Sequence, residues 1–513
     1  MQSHFKQSLK WLFYLIIANF DKILKNMSQD IRNLEPLPLW NHFADLNAVP
    51  RPSKKEERVI AFMKQFGENL GLETIVDEVG NVIIKKPATA GMENRKTIVM
   101  QSHLDMVHQK NNDTVFDFDN QGIEMYIDGD WVRANGTTLG ADNGIGVATI
   151  MAVLASTEIK HPAIEALFTI DEETGMTGAM GLKGGLLEGD ILLNLDTEDD
   201  EEIDIGCAGG VDVTAIADYE EEDLPDGSVA YKITVKGLKG GHSGMDIHKG
   251  LGNANKIMNR LLFNSFDNFG LQIASINGGS LRNAIPRESV ADVIIAKMYD
   301  ESFVFDMQKI VHEIKTEFAT TEPNLEIIFE KQDTLPNKVM PAMAQFYLVR
   351  ALYTAHNGVY RMSADFDDLV ETSNNIAKVT VANGKLQIQC LTRSSVETSK
   401  FDLANALRSA FELMGCEVTF SGSYPGWTPN PNSSILKVLD ELYQKQNGKK
   451  ANVVACHAGL ECGILGTNYP DMKMISFGPN IRGAHSPEER VSISSVQKYW
   501  NFVLEILQNI PIK

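Results

Sequence analysis

Residues 167–178 read LFTIDEETGMTG. An apolar run ends on three consecutive acids, Asp171, Glu172 and Glu173, and glycines follow at 175 and 178. Three adjacent carboxylates repel one another, and a solvated turn is the ordinary way for a chain to carry them. The alternative is a buried strand that delivers them to a place where a cation neutralises the charge. The second reading requires a particular fold: an open parallel sheet, whose strand carboxyl ends meet at one crevice.

The flanking sequence supports such a sheet. KTIVMQS, AIEALFTI, GDILLNLD and DMKMISFG are short apolar strands. They alternate with helical patterns such as NGIGVATIMAVLAS, SILKVLDELYQKQNG and SISSVQKYWNFVLEIL. That alternation predicts an α/β domain with a mainly parallel core. PLPLWNHFADL reads as an opening helix and ETIVDEVGNVIIKK as a hairpin. After CAGG (207–210) the texture changes to antiparallel strands with interspersed helices, in two successive blocks that suggest an internal duplication. The α/β texture returns near residue 425. The expected organisation is an N-terminal extension over 1–26, a catalytic domain in two segments, 27–209 and 425–513, and an inserted α+β lid domain over 210–424.

Bulk composition narrows the function. The chain has 513 residues, 43% hydrophobic and 22% charged, ample for several domains. Its net charge is −21 and no basic stripe stands out, so nucleic acid is not an expected partner. The five cysteines are widely spaced without a CxxC, which argues against a disulfide framework or a thiolate zinc site and for a reducing compartment. The apolar run Trp11–Phe20 resembles a signal-peptide core, but it is shorter than the ~20 residues of a membrane span. With Met27 just downstream, an extension or an early start is the preferred reading, with a cytoplasmic location and no stable membrane insertion.

Each apolar strand of the α/β part is followed by a potential metal ligand. His103-Leu104-Asp105 follows KTIVMQS, the triple acid follows ALFTI, Asp196 follows ILLNL, and a loop with His485 follows MKMISFG. Asp142 and Asn143 precede the helix that starts near Gly144. Each has an ordinary alternative: a surface polar pair, a solvated turn, a helix cap for Asp142, an acidic run around Asp196. Together at strand ends they form an inventory of imidazole and carboxylate donors suited to zinc or a similar divalent ion. Two ions ~3.5–4 Å apart need a bridging carboxylate and terminal ligands on each side. His103 with Asp196, and Glu173 with His485, fit the terminal places. Asp142 fits the bridge, which leaves Glu172 as a general base.

The ordered motifs HLD, GADNG, DEETG, NLDTED and GAHSPEER resemble those of the M20 metallopeptidases, and within them the aminoacyl-histidine dipeptidases (Xaa-His or β-alanyl-histidine dipeptidase, peptidase D). The resemblance runs from about Met27 to the C-terminal region. It implies a zinc-exopeptidase-like fold and two divalent ions, most readily Zn2+, with Mn2+ or Co2+ as alternatives. It implies His103, Asp142, Glu173, Asp196 and His485 as metal ligands, Asp105 as the carboxylate that orients His103, and Glu172 as the base. It also implies a cis peptide after the bridging Asp142. In the lid it places His242 as an oxyanion-stabilising histidine, Asn283 at a substrate contact, and Arg393 on the substrate carboxylate. His457 and Glu461, in CHAGLECG, fall on a pocket-lining loop. The implied activity is hydrolysis of dipeptides, preferring Xaa-His, including β-Ala-His. Other M20 activities, a tripeptidase, a carboxypeptidase or an N-acyl amino acid deacylase, share the same metal ligands. A homodimer is compatible with the resemblance.

Overall fold

The structure, a computed structural model, describes residues 31–111 and 113–513; the extension over 1–26 lies outside the described residues. The chain gathers into two compact units. Of the described residues, one comprises those up to Ile205 with Asn430–Val454 and Ile464–Lys513, and the other Gly206–Pro429 and Ala455–Gly463. Among the described residues no helix is long and apolar enough to cross a membrane.

The first unit is built on an eight-stranded mixed sheet. Its centre is four parallel strands in the order Ile164–Thr169, Ile98–His103, Ile191–Asn194 and Lys473–Ser476. The first three are buried at every position. That uniform burial explains why they read as continuous apolar runs rather than alternating ones. The predicted hairpin, Glu73–Val76 with Val82–Lys86, adds an antiparallel edge. Because the central strands run the same way, His103, Thr169, Asn194 and Ser476 all lie at one edge of the sheet.

The helix Ala141–Ala155 packs against the strand Ile98–His103 and the helix Leu37–Asn47. It is buried along nearly its whole length. Ile145, Val147, Ile150 and Leu154 are each 3% exposed or less, and burial of such a side chain contributes roughly 1.5–3 kcal/mol. A Cβ at Gly146 would lie 2.4 Å from Ser102 Oγ and 2.8 Å from the Leu195 carbonyl oxygen, so glycine permits the close approach of helix to strand ends.

A small four-stranded sheet sets the remaining loops. IRGAHSPEER, expected to be a polar loop, is instead a short hairpin: Ile481–Arg482 pairs with Arg490–Ser492, which pairs in turn with Trp131–Ala134. Ile481 and Val491 are buried opposite one another, and this apolar pair closes the hairpin on a polar tip that carries His485.

The second unit is one nine-stranded antiparallel sheet, so its two strand-and-helix blocks join in a single layer. The alternation expected of such strands is plain in Lys385–Ser394, where Leu386, Ile388 and Cys390 are buried between more exposed glutamines. These faces pack on the helices Ala254–Phe269, Asp300–Glu317, Ala342–Thr354 and Glu397–Glu412. At one end of the paired strands Val370–Ala382 and Lys385–Ser394 the buried residues turn polar: Thr372, Ser373, Asn374, Thr392, Arg393 and Ser394.

A candidate metal centre at the strand ends

The three acids of DEETG divide their work. Asp171 is buried and braces its own turn: it accepts hydrogen bonds from Lys54 Nζ, Thr174 Oγ1 and, at 2.6 Å, Thr177 Oγ1. Glu172 and Glu173 present their backbone N–H groups to the Asp105 carboxylate, at 3.0 and 3.3 Å. The Glu173 side chain, 3% exposed, then reaches His485 Nε2 at 2.9 Å.

Asp142 sits between the two imidazoles. Its Oδ1 lies 3.2 Å from His103 Nε2 and its Oδ2 lies 3.2 Å from His485 Nε2. Asp196 Oδ1 is 3.6 Å from His103 Nε2. The alternative role for Asp142, a side-chain helix cap, is not taken up: both of its carboxylate oxygens turn to the imidazoles. The Asp142-Asn143 peptide is cis, as the resemblance implies. Asn143 Nδ2 donates to Asp196 Oδ1 at 2.5 Å and to the Leu195 carbonyl at 2.7 Å, which ties the two loops together.

These residues suit divalent cations by their charge as well as their donor atoms. His103, Asp142 and Glu173 each offer a donor atom within 4.8 Å of the others. The carboxylates favour protons on the neighbouring groups. Hydrogen bonds to Asp142 and Glu173 push His485 up to about 11. Burial works against a charged His103, yet the Asp196 charge and the surrounding carboxylate hydrogen bonds raise it well above the usual histidine range. Desolvation, reinforced by the Asp142 charge, raises Glu173, and desolvation raises Asp196. Metal binding releases such protons, because imidazoles must be neutral and carboxylates ionised to ligate.

Sequence reasoning passed over four residues around this cluster. Ser53 Oγ donates to Asp105 Oδ2 at 2.8 Å. Arg51, 1% exposed, donates to the carbonyls of Leu104, Asp105 and Gly140. Burial lowers Arg51 to about 10. Glu489 accepts the backbone N–H groups of residues 139–142, and desolvation raises it to about 7. Glu198, raised to about 8 by desolvation and the Asp142 charge, lies in the acidic run after Asp196. Glu489 and Glu198 sit in charge-rich stretches that look like solvated surface, and Arg51 sits in a proline-flanked loop without periodicity.

The sequence matches the peptidase family M20/M25/M40 over residues 99–509. The chain belongs to this family. It is 45% identical over 489 residues to the cytosol non-specific dipeptidase of Escherichia coli (strain K12), a match that covers 94% of this chain and 100% of that protein. The crystal structure of aminoacylhistidine dipeptidase from Vibrio alginolyticus matches with a TM-score of 0.86 at 44% identity, covering 94% of this chain and 98% of that one. A tripeptidase from Staphylococcus aureus shares the M20 fold at 18% identity, with a TM-score of 0.54 over 93% of this chain and 99% of that one.

The residues that the M20 resemblance assigns to substrate lie in the second unit. His242 Nδ1 accepts the N–H groups of Gly244 and Met245 at 3.2 and 3.0 Å, so in the neutral ring Nε2 carries the proton. A Cβ at Gly244 would lie 2.0 Å from the His457 carbonyl oxygen and 3.1 Å from His242 Cε1, which places the two histidines side by side. His457 Nε2 is 2.7 Å from Ser373 Oγ, and Ser373 pairs across the sheet with Arg393. Burial, with the Arg393 and His242 charges, pushes His457 down to about 3, so it is a neutral imidazole at physiological pH. Arg393 is 4% exposed, donates to Tyr424 Oη at 2.9 Å and has no hydrogen-bond partner for its Nε among the described residues. Asn283 is exposed; its backbone carbonyl accepts Ser243 N–H at 2.8 Å. Glu461 is fully buried at the start of the helix Glu461–Asn468.

Proposed function

We propose that this M20 peptidase is a metal-dependent dipeptidase that cleaves Xaa-His dipeptides, β-Ala-His among them, and other unblocked dipeptides. The observation that carries the reading is the Asp142 carboxylate, which turns one oxygen to each of two imidazoles at 3.2 Å. That arrangement suits a carboxylate shared by two cations. The end-to-end likeness to a relative named as a dipeptidase supports the substrate class.

His103 and Asp196 would hold one ion and Glu173 and His485 the other, with Asp142 between them. Zinc fits this oxygen-and-nitrogen donor set, as do manganese and cobalt. When bound, such ions polarise a carbonyl and lower the pKa of water. Glu172 takes a proton from the attacking water and delivers it to the leaving amine, the ordinary task of a general base that becomes a general acid. Asp105 keeps His103 oriented: the ring Nδ1 lies 3.1 Å from the Asp105 backbone carbonyl oxygen and 3.4 Å from its carboxylate Oδ1. His242, with its proton on Nε2, is a donor for the tetrahedral oxyanion. Arg393, buried and with Nε unpaired among the described residues, receives the substrate carboxylate. Asn283, His457 and Glu461 complete the substrate contacts. The lid assignment of residues 210–424, a cytoplasmic location and assembly as a homodimer belong to the same proposal.

A panel of substrates tests it. Metal-loaded protein should cleave β-Ala-His and other free dipeptides and leave tripeptides and N-acyl amino acids largely intact. Preference for a tripeptide or an acylated amino acid would overturn the substrate class.

A further inference from the structure

We propose that Glu489 and Arg51 are positioning residues that lock together the three loops carrying His103, Asp142 and His485; this rests on the reading of Asp142 as a metal ligand. Glu489 is 2% exposed. Its Oε2 accepts the N–H groups of Leu139 and Gly140 at 2.7 and 2.9 Å. Its Oε1 accepts those of Ala141 and Asp142 at 2.7 and 3.2 Å. A carboxylate has about four lone-pair directions, so four consecutive backbone donors use its capacity fully. The group that fixes the Asp142 backbone therefore belongs to the hairpin that carries His485.

Arg51 grips the same turn from another side. Its Nη2 donates to the Gly140 carbonyl at 2.6 Å and to Asn47 Oδ1 at 3.0 Å. Its Nη1 donates to the carbonyls of Leu104 and Asp105 at 3.0 and 3.1 Å, just after His103. The peptide units on either side of Gly140 are thus pinned by an anion and a cation from separate parts of the chain. Gly140 has φ +69°, and a Cβ there would lie 2.5 Å from Arg51 Nη2, so only glycine accommodates the clamp. A continuous path runs from the His485 hairpin through Glu489 to residues 139–142, then through Arg51 to the loop after His103. None of these bonds uses a donor atom of the metal cluster. The pair acts by setting where the ligands stand.

Neutral Glu489→Gln tests this. A glutamine has one acceptor oxygen, and its amide NH2 would face two of the four N–H donors. Ion-free parent protein, Glu489→Gln and the exposed neighbour Glu488→Gln are titrated with zinc against a chromophoric chelator, and melted without metal. The expected result is a loss of zinc affinity of about 10–100-fold for Glu489→Gln, with Glu488→Gln at the parent value. Should Glu489→Gln not fold, Glu489→Asp, which keeps the charge but shortens the reach, is read by the same titration and should show the same loss. A folded Glu489 variant that melts lower yet binds zinc like the parent overturns the proposal, and so does failure of both variants to fold, which marks Glu489 as purely structural. Asp142→Asn separates the two readings. If it keeps parental zinc affinity, the ligand assignment itself falls. If it loses zinc while Glu489→Gln does not, only the positioning role falls.

Discussion

Asp105 Oδ1 accepts the backbone N–H of Glu172 at 3.0 Å, so the carboxylate that faces His103 Nδ1 also anchors the residue proposed as the base. One buried side chain thereby couples an imidazole at the end of one strand to the turn at the end of its neighbour. Ser53 and the Glu173 N–H complete its hydrogen bonds.

Asp105→Asn should weaken both functions at once. The amide keeps one acceptor but turns an NH2 toward groups that already donate. Metal affinity should fall by about 10–100-fold, the usual effect of losing a partner behind a metal ligand. Activity should stay below the parent even at saturating metal, because the Glu172 turn also loses its anchor. Metal titration and steady-state kinetics on the same preparation check this.

Glu172→Ala should separate chemistry from metal binding. Loss of a general base costs typically 10²–10⁴-fold in rate. Metal content should hold at the parent level, since the imidazole and carboxylate cluster is left intact. Elemental analysis beside kcat measurement gives the answer.

Metal affinity should rise with pH. Carboxylate hydrogen bonds push His485 in the ion-free site up to about 11, and His103 is also raised well above its ordinary range. His485 is therefore protonated at neutral pH, His103 is shifted in the same direction, and each must be free of its proton to ligate. Each displaced proton strengthens apparent binding by about tenfold per pH unit. Calorimetry in buffers of different ionisation enthalpy should show net proton release on zinc binding; proton uptake would contradict the account.

Gly146→Ala should destabilise the first unit. The new Cβ would meet Ser102 Oγ, Asn143 Oδ1 and the Leu195 carbonyl, at 2.4, 2.5 and 2.8 Å. Overpacking of this kind costs about 1–3 kcal/mol, and part of the relief would come from moving Asn143, which holds Asp196. Denaturant unfolding measures the cost.

Arg393→Ala should raise KM for free dipeptides. A hydrogen-bonded charge of this kind contributes ~1.5–3 kcal/mol, on the order of 10–100-fold in kcat/KM. Lysine should recover only part, because it lacks the planar fork. A dipeptide amide, without the carboxylate, should be nearly indifferent to the substitution.

Much of the first unit was legible because its central strands are buried on both faces and so spell apolar runs, each stopped by a polar residue at the sheet edge. His103, Glu173 and Asp196 follow such strands directly, whereas Asp142 precedes a helix and His485 lies on a hairpin, so the strand pattern alone does not deliver those two. What escaped was the support. Glu489 reads as one acid among several in SPEER, and only the fold shows four N–H groups converging on it. Arg51 acts through carbonyl groups, which leave no trace in sequence. The hairpin around His485 was hidden because its pairing rests on two short apolar contacts, Ile481 and Val491, too few to give a period.

The most direct test is a zinc titration of metal-stripped protein, read as hydrolysis of β-Ala-His. The account predicts no activity without metal and recovery to a plateau as the two ion places of each chain fill. Full dipeptide hydrolysis by protein shown to be metal-free would contradict it.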